Sequence, residues 1–502
     1  MNRSASGLVR TSLVALAGVG IVVAATHSDG ALALGSGVGA DRASTAVTSP
    51  VRSSSLVCPG PELKGLQGVD DAQVPVRVAA AAAPVRAMTG TQPASGAGRL
   101  TLTRMPSGGL GAPVTARGAT ASANQAGASG VLVTGTESMA AGVAAVQSWL
   151  VPSGDLRSLG GAPCGRPGAE FWIVAGGGDP GRQERLVLTN PGGNPVTVDA
   201  TLHGPDGPVS SPNGKGILVP AHGRTSFLLD SISGDLVSPV VHVVAEGGVV
   251  GAVVNDTWLD GTRAAGSDDA VPTAPPSRDQ VIPAVSVTGS ALLRVAVPGS
   301  SEAVVQARVL TAQGARALPA GGVIRIDGGT VRDIDLSKLP PATVGIQVRA
   351  DVPIVAAALV TRAKPAQPSD LAWASSTPVL TGVAGMPLTA PGGGSAPGGG
   401  SAPVRRLVSV TSSGDTAGVE VVTVDAKGAQ TSRRIEVGVD ATSMIDVTGA
   451  ASVWVHRVSG VGQVRAGVVS RLEDAQGELI SIAPLSDALL RTTSVGLREV
   501  TP

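Results

Sequence analysis

RLVLTNPGGNPVTVDATLHGPDGPV, residues 185–209, is the stretch whose periodicity assigns the fold class. Leu186, Leu188, Val196, Val198, Ala200 and Leu202 alternate with other residues, and turn formers cluster at Asn190 to Asn194 and at Gly204 to Gly207. Period-two alternation between Gly, Pro, Asn and Asp clusters marks half-buried antiparallel strands. The pattern continues outward. Ile217 and Val219 begin a strand that Pro220 to Gly223 turns back through Phe227 and Leu229, and Val241, Val243 and Ala245 precede a turn at Glu246 to Gly248. Six or seven strands in about 80 residues suit a small two-sheet sandwich of Ig-like type.

Looser copies of this stretch fill most of the chain. Arg185-Leu186-Val187-Leu188 is echoed at Arg99-Leu100, Leu292-Leu293 and Arg406-Leu407. The second strand, from Val196, returns from Val304 and Val419, and the closing hairpin, from Pro239, returns from Val344 and Val453. Residues Val131 to Leu150 stand in for that hairpin in a first, degenerate copy. Repeats of this kind predict an all-β tandem array of small antiparallel sandwiches. The expected segments are an export helix over 1–33, a tether over 34–83, modules over 84–169, 170–278, 279–390 and 404–502, and a Gly/Ser/Pro linker over 391–403. Short connector strands are expected near Ala169, Arg278, Asp370 and Glu478, while the linker should let the last module reorient.

Arg3 and Arg10 precede the apolar run Leu13 to Ala25, which is short for a membrane span and suits a signal-peptide core. Both a cleaved leader and an uncleaved anchor through residues 11–25 fit it, and either places the body outside the cytoplasmic membrane. In that compartment the lone pair Cys58 and Cys164 is expected to form a disulfide. The loop of roughly a hundred residues it closes is worth up to ~4.7 kcal/mol. Neither cysteine has the CxxC or histidine neighbour that a redox or metal thiol would want.

A chain that is 43% hydrophobic and 15% charged is a folded β protein rather than a disordered one. Lys plus Arg and Asp plus Glu are both 37 with no basic cluster, so the electrostatic footprint of a nucleic-acid partner is missing. With no Tyr and two Phe, the five tryptophans carry most of the aromatic area and are expected to pack between modules.

Motifs of chemistry are sparse. Gly176 to Gly181 matches GxGxxG, but a strand follows it and Pro180 spoils the helix start that a pyrophosphate needs, so a turn is expected. GxSxG, HExxH and P-loop patterns do not occur, and no cofactor or metal is expected. His203, His222 and His242 share one module without ligand spacing, and Gln347 and His456 match His242 in other copies, which reads as a solvated strand face. Asp256, Asp260, Asp268 and Asp269 read as a solvated loop rather than a calcium site. Asp230, Asp335 and Asp446 recur at one position and suggest a turn or strand-end hydrogen bond.

The run LVCPGPE from Leu56 behind an export segment, then RLVLTNPGGNPVTV, HGPDGPV and VVNDTWLDG, resembles the exported actinobacterial proteins of domain of unknown function family 5719. The resemblance implies an extracytoplasmic protein and carries no assigned activity or site residues. Two functions are weighed: a non-catalytic envelope protein that binds a glycan or protein partner or acts as a spacer, and an envelope carbohydrate-active enzyme using carboxylates from different modules.

Overall fold

In the stretch of strongest alternation, Arg182–Thr189 pairs with Arg224–Leu228 and Gly251–Asp260, and Arg263–Ala270 completes a four-stranded antiparallel sheet. Val196–Gly204 and Val240–Glu246 pair in a second sheet with Glu170–Val174, Gly207–Val209 and Ile217–Val219. Leu186 and Leu188 from one sheet share a core with Val198, Leu202, Val241 and Val243 from the other. The alternation thus sets which side chains fill the sandwich. The computed structural model describes residues 47–65, 70–71, 74–88, 90–234, 236–319, 323–362, 367–393 and 403–494. The expected export helix, the start of the tether and residues 394–402 of the linker lie outside them. Among the described residues no helix is long and apolar enough to cross a membrane.

The expected closing hairpin is an arch. Val240–Glu246 and Gly251–Asp260 pair with strands of different sheets, and Gly247, at φ 80°, helps the chain cross between them. In the third module one 20-residue strand, Ala342–Thr361, makes the same crossing without a break, pairing in its first half with Ser277–Val287 and in its second with Ala291–Ala296. A hairpin and an arch look alike in sequence, since both are two apolar runs around a turn.

One strand path recurs four times. The opening strands are Ser53–Cys58, Glu170–Val174, Ser277–Val287 and Val383–Pro387, and the next strands are Val76–Ala82, Arg182–Thr189, Ala291–Ala296 and Arg405–Ser413. Each module ends on a closing strand: Ser158–Pro163, Arg263–Ala270, Leu371–Ser375 and Gly477–Leu485. Of the expected connectors, then, two open a module and two close one.

This path corrects the reading of residues 34–83 as a tether. Val76–Ala82, pairing with Thr120–Gln125 and Val143–Val151, holds the place that Arg182–Thr189 holds in the second module. Leu100–Arg104, taken as the echo of Arg185-Leu186, is instead the counterpart of Val196–Gly204. The first module is therefore complete rather than degenerate. Its alanine strand escaped notice because both faces are buried: Val78, Ala80 and Ala82 enter its own core, while Ala79 and Ala81 pack into clusters shared with the fourth module. Such a strand loses period-two polarity.

Nor is the array a string. Residues 48–492 form one compact body in which the four closing strands lie around a common axis. Ser226 Oγ donates to Glu62 Oε1 at 2.7 Å between the first and second modules. Ser238 Oγ donates to Asp333 Oδ2 at 2.6 Å between the second and third, and Arg308 pairs with Asp440 at 2.8 Å between the third and fourth. Arg157 meets Asp474 at 2.8 Å between the fourth and first, closing the ring. The expected freedom of the last module is overturned by these contacts and by its own opening strand, which precedes the linker. Gly392 and Gly393 pair in parallel with Trp149 and Leu150, and a Cβ on Gly392 would stand 2.3 Å from the Pro75 carbonyl oxygen.

Candidate functional site

Asp370, fully buried just before the third closing strand, touches all four modules. Its Oδ2 accepts from the backbone N–H of Leu159 at 3.1 Å and of Ile480 at 2.8 Å, and its Oδ1 accepts from Leu371 at 3.0 Å. From the remaining module, Gly266 approaches so closely that a Cβ there would lie 2.4 Å from Oδ1. Burial pushes the Asp370 carboxyl up to about 8, against the pull of the N–H donors and Arg157.

Further carboxylates join it along the interfaces. Asp256 Oδ2 accepts from Arg182 Nη2 at 2.6 Å and from Trp373 Nε1 at 2.7 Å. Despite complete burial, the Arg182 guanidinium and these hydrogen bonds hold it below the usual carboxylate range. Asp268 Oδ2 accepts from Trp373 N at 2.8 Å, and Asp269 Oδ2 accepts from Gln147 Nε2 at 2.6 Å, so adjacent residues face opposite neighbours in the ring. Burial drives Asp268 well up and Asp269 to about 6. Glu184 rises to about 8 through burial and then the nearby Asp256. The solvated-loop reading is thus wrong for Asp256, Asp268 and Asp269, which lie on paired strands and are 0%, 1% and 5% exposed. Asp260 alone sits at the turn, paired with Arg263 at 2.9 Å. Among the described residues no His, Cys, Asp or Glu group could hold a metal ion.

All four closing strands end at one pocket of about 800 Å³. Its wall takes Cys164 from the first module, Trp172 and Thr189 from the second, Thr377 from the third and Leu489 from the fourth. Pro163, Pro272, Pro378 and Pro484, at the ends of the closing strands or just beyond them, add a rigid apolar surface. The buried carboxylates Glu184, Asp256, Asp268, Asp269 and Asp370 do not line it.

A family model matches residues 119–448, well over half the chain and parts of all four modules. The chain belongs to DUF5719, a family of unknown function. No curated protein matches this DUF5719 chain. Among solved structures, the tetra-tandem repeat in the extending region of a large adhesion protein is 14% identical over 78% of this chain and 91% of that one, and at a TM-score of 0.10 the likeness carries no argument.

The structure joins Cys58 and Cys164 in a disulfide that ties the opening strand of the first module to the end of its closing strand. Gly176 to Gly181 is a turn that leads into a strand, with Gly177 N–H donating to Glu184 Oε1 at 2.8 Å. Asp335 and Asp446 bind the backbone N–H two residues on, at 2.8 and 2.9 Å, as a turn-capping role requires. Asp230 opens the short helix Asp230–Ser233.

Two of the histidines meet at Trp172, with His203 tilted 5.1 Å from its ring and His242 stacked on it. His242 stacks on Trp172 at 4.1 Å and meets Glu170 at 2.9 Å, His203 bonds to the Gly329 carbonyl at 2.9 Å, and His222 sits in a turn at φ 48°. The solvated-face reading fails for Gln347 and His456, which are 0% and 3% exposed, because the next module covers that sheet. Trp373 and Trp454 pack between modules, whereas Trp149 stays within the first, against Gly160. Asp370 itself was missed in the sequence. The available signal was an acid adjoining the wholly apolar-and-small run Leu371–Ser375, just as Asp268 and Asp269 interrupt Ala264 to Val271.

Proposed function

We propose that this protein is a non-catalytic, extracytoplasmic binding protein whose ligand site is the pocket at the end of the ring axis. The observation that carries the reading is the pocket's construction: four modules contribute to one cavity whose wall is mainly aliphatic, proline and hydroxyl side chains. Concave, largely apolar sites with a few polar groups are where small ligands bind. The disulfide and the apolar leader run support a site outside the cytoplasm. Carboxylate catalysis, the alternative, needs an acid and a base or nucleophile reaching the substrate. Of the two carboxylates on the wall among the described residues, Asp487 is held by Thr381 and Gly382 donors and Glu170 by His242, while the ring's close-set carboxylates lie behind the wall and are engaged by framework N–H groups and Arg182.

The test uses the exported full chain and the variant Gly165→Trp. A Cβ on Gly165 meets no atom within 4 Å, so the indole can enter the pocket without disturbing the framework. Cell-wall glycan fragments, neutral lipids and proline-rich peptides are titrated by calorimetry, and ester, peptide and glycoside turnover is assayed in parallel. Saturable binding of one class that G165W abolishes, with no turnover, is expected. Turnover lost on replacing a single Asp or Glu would overturn the reading.

A further inference from the structure

Residues 486–492 follow the last closing strand, Gly477–Leu485, and lie outside the two sheets of the fourth module. They cross from that module to the first as a strap. Asp487 Oδ2 accepts from Thr381 N–H at 2.7 Å and from Thr381 Oγ1 at 2.6 Å, and its Oδ1 accepts from Gly382 N–H at 3.1 Å. Ala488 N–H donates to the Val383 carbonyl at 2.8 Å, on the opening strand of the fourth module. Further along, the Leu489 and Leu490 carbonyls accept from Gly142 N–H at 2.8 Å and Val51 N–H at 3.3 Å in the first module.

The strap covers two things. Ala488, Leu489 and Leu490 are half-buried against the apolar seam of the two modules, where Met88, Val383 and Trp454 meet. Residues 486–489 also form one side of the axial pocket. The rest of the wall is built differently. Its residues from Ser53–Cys58, Val143–Val151 and Gly251–Asp260 belong to strands paired within their modules. The link through residues 272–276 is tied by Thr273 N–H to the Trp172 carbonyl and by Ala274 N–H to the Ser376 carbonyl, both at 2.9 Å. Moving these segments breaks a sheet or parts two modules, whereas moving the strap breaks no sheet of any module. It releases only the Asp487 contacts, a few backbone hydrogen bonds and half-buried apolar side chains, and local opening follows the route that gives up least burial.

We propose that the strap is the gate of the axial pocket, latched by Asp487, and that it lifts off the seam to admit the ligand. This inference rests on the binding reading above and adds how the site is entered.

Hydrogen exchange on the full chain reads the gate without a ligand. The amides of Val51, Gly142, Thr381, Gly382 and Ala488 bond to or from the strap and should exchange together. They should exchange faster than the framework amides of Val57 and Ile480, which bond to Gly165 and Asp370. Asp487→Ala should speed the strap amides at least about tenfold, as the loss of two or more modest hydrogen bonds implies, and leave the framework amides unchanged. Asp487→Asn keeps one acceptor oxygen and should fall between.

Entry is read by stopped-flow fluorescence with Nile red, a neutral apolar dye, whose uptake should be lost in G165W. In D487A the dye should enter and leave about tenfold faster with its Kd changed less than about threefold, which separates a gate from a lost wall contact. Dye rates that stay at the wild-type value in D487A and D487N overturn the gate while the pocket stands. So do strap amides that exchange no faster than the framework. Dye uptake indifferent to G165W overturns the pocket itself, and the gate with it.

Discussion

Replacing Asp370 by Ala asks whether the ring is held at its axis. The substitution strands the backbone N–H groups of Leu159, Leu371 and Ile480, which have the carboxylate oxygens as partners at 2.8–3.1 Å. A buried donor left unpaired costs ~1–3 kcal/mol, so three cost ~3–9 kcal/mol before relaxation. Total domain stabilities are ~5–15 kcal/mol, which makes this a large fraction. Because the donors belong to three modules and Gly266 of the remaining one packs on the same carboxyl group, the loss should act on the assembly as a whole. Guanidinium unfolding followed by tryptophan fluorescence should show one transition in both proteins, shifted to much lower denaturant in D370A. Asp370→Asn keeps one acceptor oxygen and should lie between them. A D370A shift below ~1 kcal/mol, or separate transitions for individual modules in the wild type, would refute the argument that the axis couples the ring.

Three further outcomes follow from the same structure. Cys58→Ser with Cys164→Ser opens a loop of 106 residues and should cost ~2–5 kcal/mol in denaturant unfolding; the intact, denatured protein should resist thiol labelling unless reduced. Glu184, Asp269 and Asp370 have folded-state pKa values raised to about 8, 6 and 8 against an unfolded value near ~4, so each holds a proton that the unfolded chain has released. Their stabilisation is complete below about pH 4 and is lost progressively as pH rises to about 8; a denaturation midpoint that climbs over this window would contradict the assignment, and Asp269→Asn should flatten its lower half. Gly392→Val would drive side-chain atoms into the Pro75 carbonyl and Arg77 N–H, 2.3 and 2.5 Å from the Cβ position, and should destabilise by ~1–3 kcal/mol, whereas Gly428→Ala, on an open turn at φ 86°, tests backbone strain without any clash.

Alternation around Leu186, Leu188, Val198 and Leu202 was enough to identify antiparallel sandwiches, since one wet and one dry face writes itself into every second residue. The same logic failed where both faces are dry. Val76–Ala82 passed for tether because neighbouring modules need small residues on its second face, and Val187, between the core residues Leu186 and Leu188, is itself buried with Ala162 of the first module. Of the site, the disulfide pair and the capping acids Asp335 and Asp446 were legible, because their chemistry is short-range or has only one available partner.

The sequence by itself determined the all-β class, the recurrence of a β module along the chain, the turn at Gly176 to Gly181 and the Cys58–Cys164 pairing. Tertiary structure alone decided that the four copies close into a ring, that Asp256, Asp268, Asp269 and Asp370 are buried ties between modules rather than solvated charges, and that the closing strands end at a shared pocket. Local periodicity reports how each strand sees its own sheet. Whether a second surface covers the other face depends on residues such as Leu159 and Ile480, 211 and 110 positions from Asp370, and their approach is set by the packing of whole modules.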